Sequence, residues 1–167
     1  TAHLNFIYVN ADPEILDVDT WNHVTATYDG GLGSSALKLY KNGALYDNVT
    51  NAINGTYTGV NTSANEPFHL GIRVQDNGIT HKPFYGKMDR LGIFNEALSD
   101  SQILENYYTE LTGPEPNLVG YWNFNEGMGT ATYDFSGNGS NGTINGASWN
   151  ANSPYPGPVY YVSTTGS

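Results

Sequence analysis

The chain of 167 residues contains no cysteine. A disulfide framework, thiolate metal sites and a cysteine nucleophile are therefore excluded. Basic residues are scarce too. Six Lys and Arg stand against 16 Asp and Glu, a formal net charge of −10. Nucleic acid and anionic membranes both demand a basic face, so neither fits as a partner. Long apolar runs are also missing. None approaches the roughly 18 residues of a membrane span, so membrane insertion is not expected. No signal peptide is recognisable, as expected for a mature or excised fragment.

What is abundant points the other way. There are 20 Gly and 13 Tyr, with only 13% charged residues. Many tight turns and many aromatics favour a β-rich fold over disorder, and the length supports one domain with a real core. In "NHVTATYDGG", Val24, Ala26 and Tyr28 share one parity while His23, Thr25 and Thr27 share the other. That alternation predicts a strand closed by a turn. In "SALKLYKNGALYDN", Leu37 and Leu39 alternate with Lys38 and Tyr40. Asn42-Gly43 then supplies the two positive-φ positions of a tight hairpin. "PFHLGIRV" sets Phe68, Leu70, Ile72 and Val74 on one face of a further expected strand.

In "FYGKMDRLGIF" the apolar parity switches between Met88 and Leu91. A β-bulge at Asp89-Arg90 would produce the switch and re-aim Asp89. One helix is expected in "NEALSDSQILENYY", where Ser99 and Gln102 have capping-box spacing. The linker-like "TGPEPN" stops it. The fold class expected is all-β: a two-sheet antiparallel jelly-roll sandwich with one short helix.

Several motifs fail on context. "GNGSNG" (Gly137–Gly142) and "GLGSSA" (Gly31–Ala36) match dinucleotide-loop spacing. Neither is followed by a helix that would hold phosphate at its N-terminus. The acidic group Asp12, Glu14, Asp17 and Asp19 reads as a solvated loop. Four histidines (His3, His23, His69, His81) show no metal-ligand spacing. Calcium is the better metal candidate, because it takes loop carbonyls plus one or two carboxylates. Asp89 and Asp134 are its candidates, with an Asx turn as the alternative role for Asp134. Asn-x-Ser/Thr occurs at Asn48, Asn54, Asn61, Asn138 and Asn141, a frequency that chance supplies in so Asn- and Thr-rich a chain.

Taken together, "TWNHVTATYDG", "LKLYKNGALYD", "LGIR", "FYGKMDRLGIFNEALSDSQI" and "LVGYWNFNEGMGTATYDFSGNGSNGTINGASW" resemble the laminin-G-like domains with the concanavalin A-like jelly roll. The bacterial secreted branch is the nearest in pattern. The resemblance spans roughly residues 18–50 and 68–150. It implies an extracellular or cell-surface module that binds a glycan or cell-surface polysaccharide rather than catalyses. It also implies a structural calcium held by Asp89, with Asn125 and Asp134 as further ligands. The Glu-x-Asp-x-x-Glu strand pattern of laminarinase-like relatives is absent, and glycoside hydrolysis needs two carboxyl groups. Tyr57, Tyr85, Trp149 and Tyr155 lie in or beside loops and form the expected sugar-stacking set. Their alternative role is ordinary core or sheet surface.

The order of motifs departs from the family. Tyr121-Trp122-Asn123-Phe124-Asn125-Glu126-Gly127 usually opens the domain, and here it follows the helix. The middle region, with a Phe-Asp-Gly turn and an Ile-x-x-Trp-Val strand, is missing. Two explanations stand: residues 1–150 are one jelly roll in rotated order, complete in itself or completed by a neighbour, or the late opening segment begins a second copy; 151–167 read as a Pro-rich tail, donor strand or linker. Sheets short of strands expose edges that pair with other chains. An alternative function follows: a structural subunit of an extracellular filament, a homopolymer joined by strand exchange. The ending "VYYVSTTGS" also faintly resembles the start of a parallel β-helix, as in an internal piece of a longer secreted protein.

Overall fold

The computed structural model describes residues 6–11, 15–31, 36–46, 49–54, 67–74, 80–81, 83–151 and 161–163. The chain divides into two compact units, Thr1–Thr62 with Phe94–Leu111, and Ser63–Ile93 with Thr112–Ser167.

In the first unit, β1 (Phe6–Ala11) pairs antiparallel with β5 (Val49–Asn54) over six residues. A separate sheet takes β2 (Val24–Tyr28), β3 (Leu37–Lys41) and β4 (Ala44–Tyr46) as consecutive antiparallel neighbours. Its second hairpin turns on Asn42 and Gly43, at φ 51° and 80°. Both angles are positive, as a two-residue turn of type I′ requires. Asn42 adds a clasp: its Oδ1 accepts the His23 amide at 2.9 Å.

The helix α1 (Asp100–Tyr108) begins as its spacing predicts. The Ser99 side chain accepts from the Gln102 amide, and the Gln102 side chain accepts from the Ser99 amide. Two orphan donors are satisfied reciprocally. Ile103 is the helix's buried residue.

The burial of β2 and β3 departs from the hydropathy alternation. Thr27 and Tyr40 are buried, while Val24 is exposed and Leu37 and Leu39 are half-buried. Tyr40 is the deepest, at 1% exposure. A tyrosine ring carries a large apolar area, and its hydroxyl needs only one partner. Asp100 is that partner, with Oδ1 accepting from Tyr40 Oη at 2.8 Å. Burial first, then the Asp100 bond, raises the Tyr40 pKa above its usual 10.0.

In the second unit, β6 (Arg73–Val74) pairs with β7 (Thr80–His81). Phe68, Leu70 and Ile72 precede β6 outside any strand and are exposed. The expected longer strand is interrupted by Gly71 at φ 79°, a conformation that breaks an extended run. β8 (Lys87–Met88) and β9 (Leu91–Phe94) are separated by Asp89 and Arg90. β9, whose last residue Phe94 is counted with the first unit, bonds to β10 (Leu118–Trp122). β11 (Ala131–Thr132) pairs with β12 (Gly142–Thr143). β13 (Ser148–Asn150), β14 (Tyr161–Ser163) and β8 form a three-stranded antiparallel sheet with β14 in the centre. Among the described residues of this unit, Leu118, Tyr121 and Phe124 are the buried hydrophobic side chains, and Thr132 and Ser136 are buried as well. Every pairing whose register is described is antiparallel.

Candidate functional site

The parity switch at Asp89-Arg90 is where the chain leaves β8 and enters β9, which pair with different strands. Arg90 sits at φ 50°, a left-handed position uncommon for a residue with a side chain. The turn carries Asp89 inward, and its side chain is 5% exposed. Arg90 Nε lies 3.4 Å from Asp89 Oδ2.

The segment leaving β10 carries a second group of candidate residues. Phe124 is buried at φ 52°. A bulky side chain in that region is a true outlier, held only where its surroundings over-determine it. On either side, Asn123 Oδ1 accepts the Asn125 amide at 3.2 Å, and Glu126 Oε1 accepts Thr132 Oγ1 at 3.0 Å and the Tyr133 amide at 2.7 Å. Two oxygens are left over. Asn125 Oδ1 and Glu126 Oε2 are buried and accept no hydrogen bond. Unmatched buried oxygens are costly, and their donor set, one amide and one carboxylate oxygen, suits a hard cation. Among the described residues, no three His, Asp or Glu side chains converge as a metal site. A calcium here would draw on one or two carboxylates together with amide and backbone carbonyl oxygens, not on a cage of three carboxylates.

Asp134 has a different setting. Its Oδ1 accepts the amides of Tyr121 and Ser136, both at 2.9 Å, and its Oδ2 accepts the Ser140 amide at 2.9 Å. The Ser136 bond is the Asx-turn element; the other two reach across the unit to β10 and the Gly/Asn loop. Burial pushes the Asp134 carboxyl up, but the amide of Tyr121 and the side chain and amide of Ser136 outweigh it, with Ser140, and hold the pKa at about 2. The neighbouring asparagines finish the clamp. Asn141 Oδ1 accepts the Asp134 amide, and Asn138 Nδ2 donates to the carbonyls of Leu118 and Val119. Asn138 is thus tied to β10 through the nitrogen that glycosylation would need.

Of the stacking candidates, Tyr57 and Tyr155 lie outside the described residues. Tyr85 is 71% exposed. Trp149, on β13, is half-buried and its indole Nε1 donates to the Gly129 carbonyl at 2.9 Å. Two aromatics escape sequence reading. Tyr133 and Phe135 are 55% and 43% exposed. They flank Asp134, and pulling Asp134 inward sends both neighbours outward. The signal was present in "TYDFSG" as an aromatic on each side of one carboxylate.

No curated protein and no solved structure matches the chain. A family match covers residues 2–104, and its description is the concanavalin A-like lectin/glucanases superfamily. The match ends inside α1, so β10 and the clamp lie beyond it. The matched span runs from the N-terminal strands through the Trp-x-His-Val and Gly-Lys-Met-Asp stretches to the capped helix, and covers more than half the chain. The chain belongs to the laminin-G-like branch of that superfamily, and its fold is of the all-β, concanavalin A-like jelly-roll class.

Proposed function

We propose that the chain is a non-catalytic extracellular module that binds carbohydrate and carries one structural calcium. Family membership is the observation that carries the binding class. The superfamily includes glucanases as well as lectins, and the missing Glu-x-Asp-x-x-Glu pattern supports binding over hydrolysis. Tyr85, Tyr133 and Phe135 present exposed rings that suit the apolar face of a sugar. A net charge of −10 favours neutral over acidic polysaccharides. Alanine at Tyr85 or Tyr133 is expected to weaken retention on a bound polysaccharide about tenfold, the effect of ~1.4 kcal/mol of lost stacking. Unchanged retention in both variants would remove these rings from the site.

The calcium rests on Asn125 Oδ1 and Glu126 Oε2, with Asp89 as the further carboxylate. The ion would neutralise these oxygens and hold the strained turn at Phe124. Titration calorimetry should show one calcium bound, with binding lost in Asn125→Ala and Glu126→Gln. Equal binding by both variants would contradict the assignment.

A second reading, assembly of copies by strand exchange, has its own observation. The centre of the β13–β14–β8 sheet is supplied by residues 161–163, beyond a Pro-rich stretch.

A further inference from the structure

β14 is three residues long and is hydrogen-bonded on both sides. Ser163 faces Ser148 and Lys87, and Val162 faces Trp149 and Met88. Removing β14 would leave two bare edges, on β13 and on β8, and bare edges recruit strands. The connection to β14 is the unusual part. Asn150 and Tyr161 are register partners, so their Cα atoms stand about 5 Å apart. The sequence between them, residues 151–160, includes Pro154, Pro156 and Pro158. Proline-spaced chain favours extension at about 3.1 Å per residue, a reach of about 30 Å. A return within one chain works against that preference, whereas delivery to a neighbour uses it. An identical strand from another copy makes the same hydrogen bonds, so the connection decides between the two arrangements.

We propose that the slot between β13 and β8 is a self-association site that takes Tyr161–Ser163 of a second copy of this chain. The proposal rests on the assembly reading and names its joint.

The absence of native cysteine makes the test clean. Met88→Cys and Val162→Cys are made on separate chains, mixed and oxidised. Antiparallel partners stand within disulfide range, so exchange predicts a covalent dimer in the mixture well above either variant alone. Asn150→Cys mixed with Tyr161→Cys repeats the test on the other edge, and circular dichroism confirms that each variant is folded. Cross-linking only within a chain that carries both cysteines overturns the proposal, and so does no cross-link in either format. Self-association by light scattering without the mixed cross-link overturns the slot but leaves the assembly reading standing. A monomer at every concentration ends both.

Discussion

Asp134→Ala is expected to lower stability by about 2–4 kcal/mol, read as a drop in the urea or thermal unfolding midpoint. Three backbone amides lose their acceptor. Two of those bonds are partly buried, and each unmet amide there costs about 1–2 kcal/mol. Asp134→Asn separates geometry from charge. With its oxygen in the Oδ1 position, asparagine still accepts from Tyr121 and Ser136. Its NH2 then faces the Ser140 amide, donor against donor, so a loss of about 1–2 kcal/mol is expected. The pH dependence follows from the folded pKa of about 2 against the ordinary 3.8. A lowered carboxyl stabilises the fold above its unfolded pKa. That contribution, about 2 kcal/mol, is present above pH ~4 and disappears as pH falls toward 2. Wild type should therefore lose stability steeply between pH 4 and 2, and Asp134→Asn should lose much less over the same range. Parallel acid limbs in the two proteins would show that Asp134 is not the group responsible.

Gly43→Ala carries the second large effect. At φ 80° an L-residue is strained, at about 1–2 kcal/mol. Space is short as well. A Cβ there would stand 2.8 Å from Leu104 Cδ1 and 3.3 Å from both Leu104 Cα and Tyr107 Cβ. The leucine methyl can rotate away, but the helix backbone cannot without moving α1. Overpacking of that kind adds about 1–3 kcal/mol, for a total of about 2–5 kcal/mol. Gly146 is the control. It has φ 75° and nothing within 4 Å of its would-be Cβ, so Gly146→Ala should cost the conformational part alone, about 1–2 kcal/mol. The difference between the two variants measures the contact between the hairpin turn and α1. Equal losses would mean that the helix does not rest on Gly43.

These two sites also show what a sequence reveals. Asn42-Gly43 and the Ser99/Gln102 box are local signals, in which a few adjacent residues state their own backbone angles and partners. Both were readable in advance. So was the family, because its motifs are contiguous strings. The inward face of β3 was not readable. Alternation groups Tyr40 with Lys38, and the bond that satisfies the buried tyrosine hydroxyl comes from Asp100, sixty residues away. Asp134 was half-readable. Its Asx turn to Ser136 is local, whereas its hold on Tyr121 spans thirteen residues. The left-handed Phe124 and the oxygens beside it had no signature at all, since nothing in "WNFNEG" marks a positive φ at a phenylalanine. The strand at 161–163 was visible as a β-prone run, but its partners, 74 residues away for Val162 and Met88, were not.

Retention on immobilised neutral polysaccharides, measured in calcium and then in chelator on the same column, tests the function most directly. A calcium-supported binding module is retained by at least one polysaccharide and released when the ion is removed. Passage through every polysaccharide in both buffers would contradict carbohydrate binding.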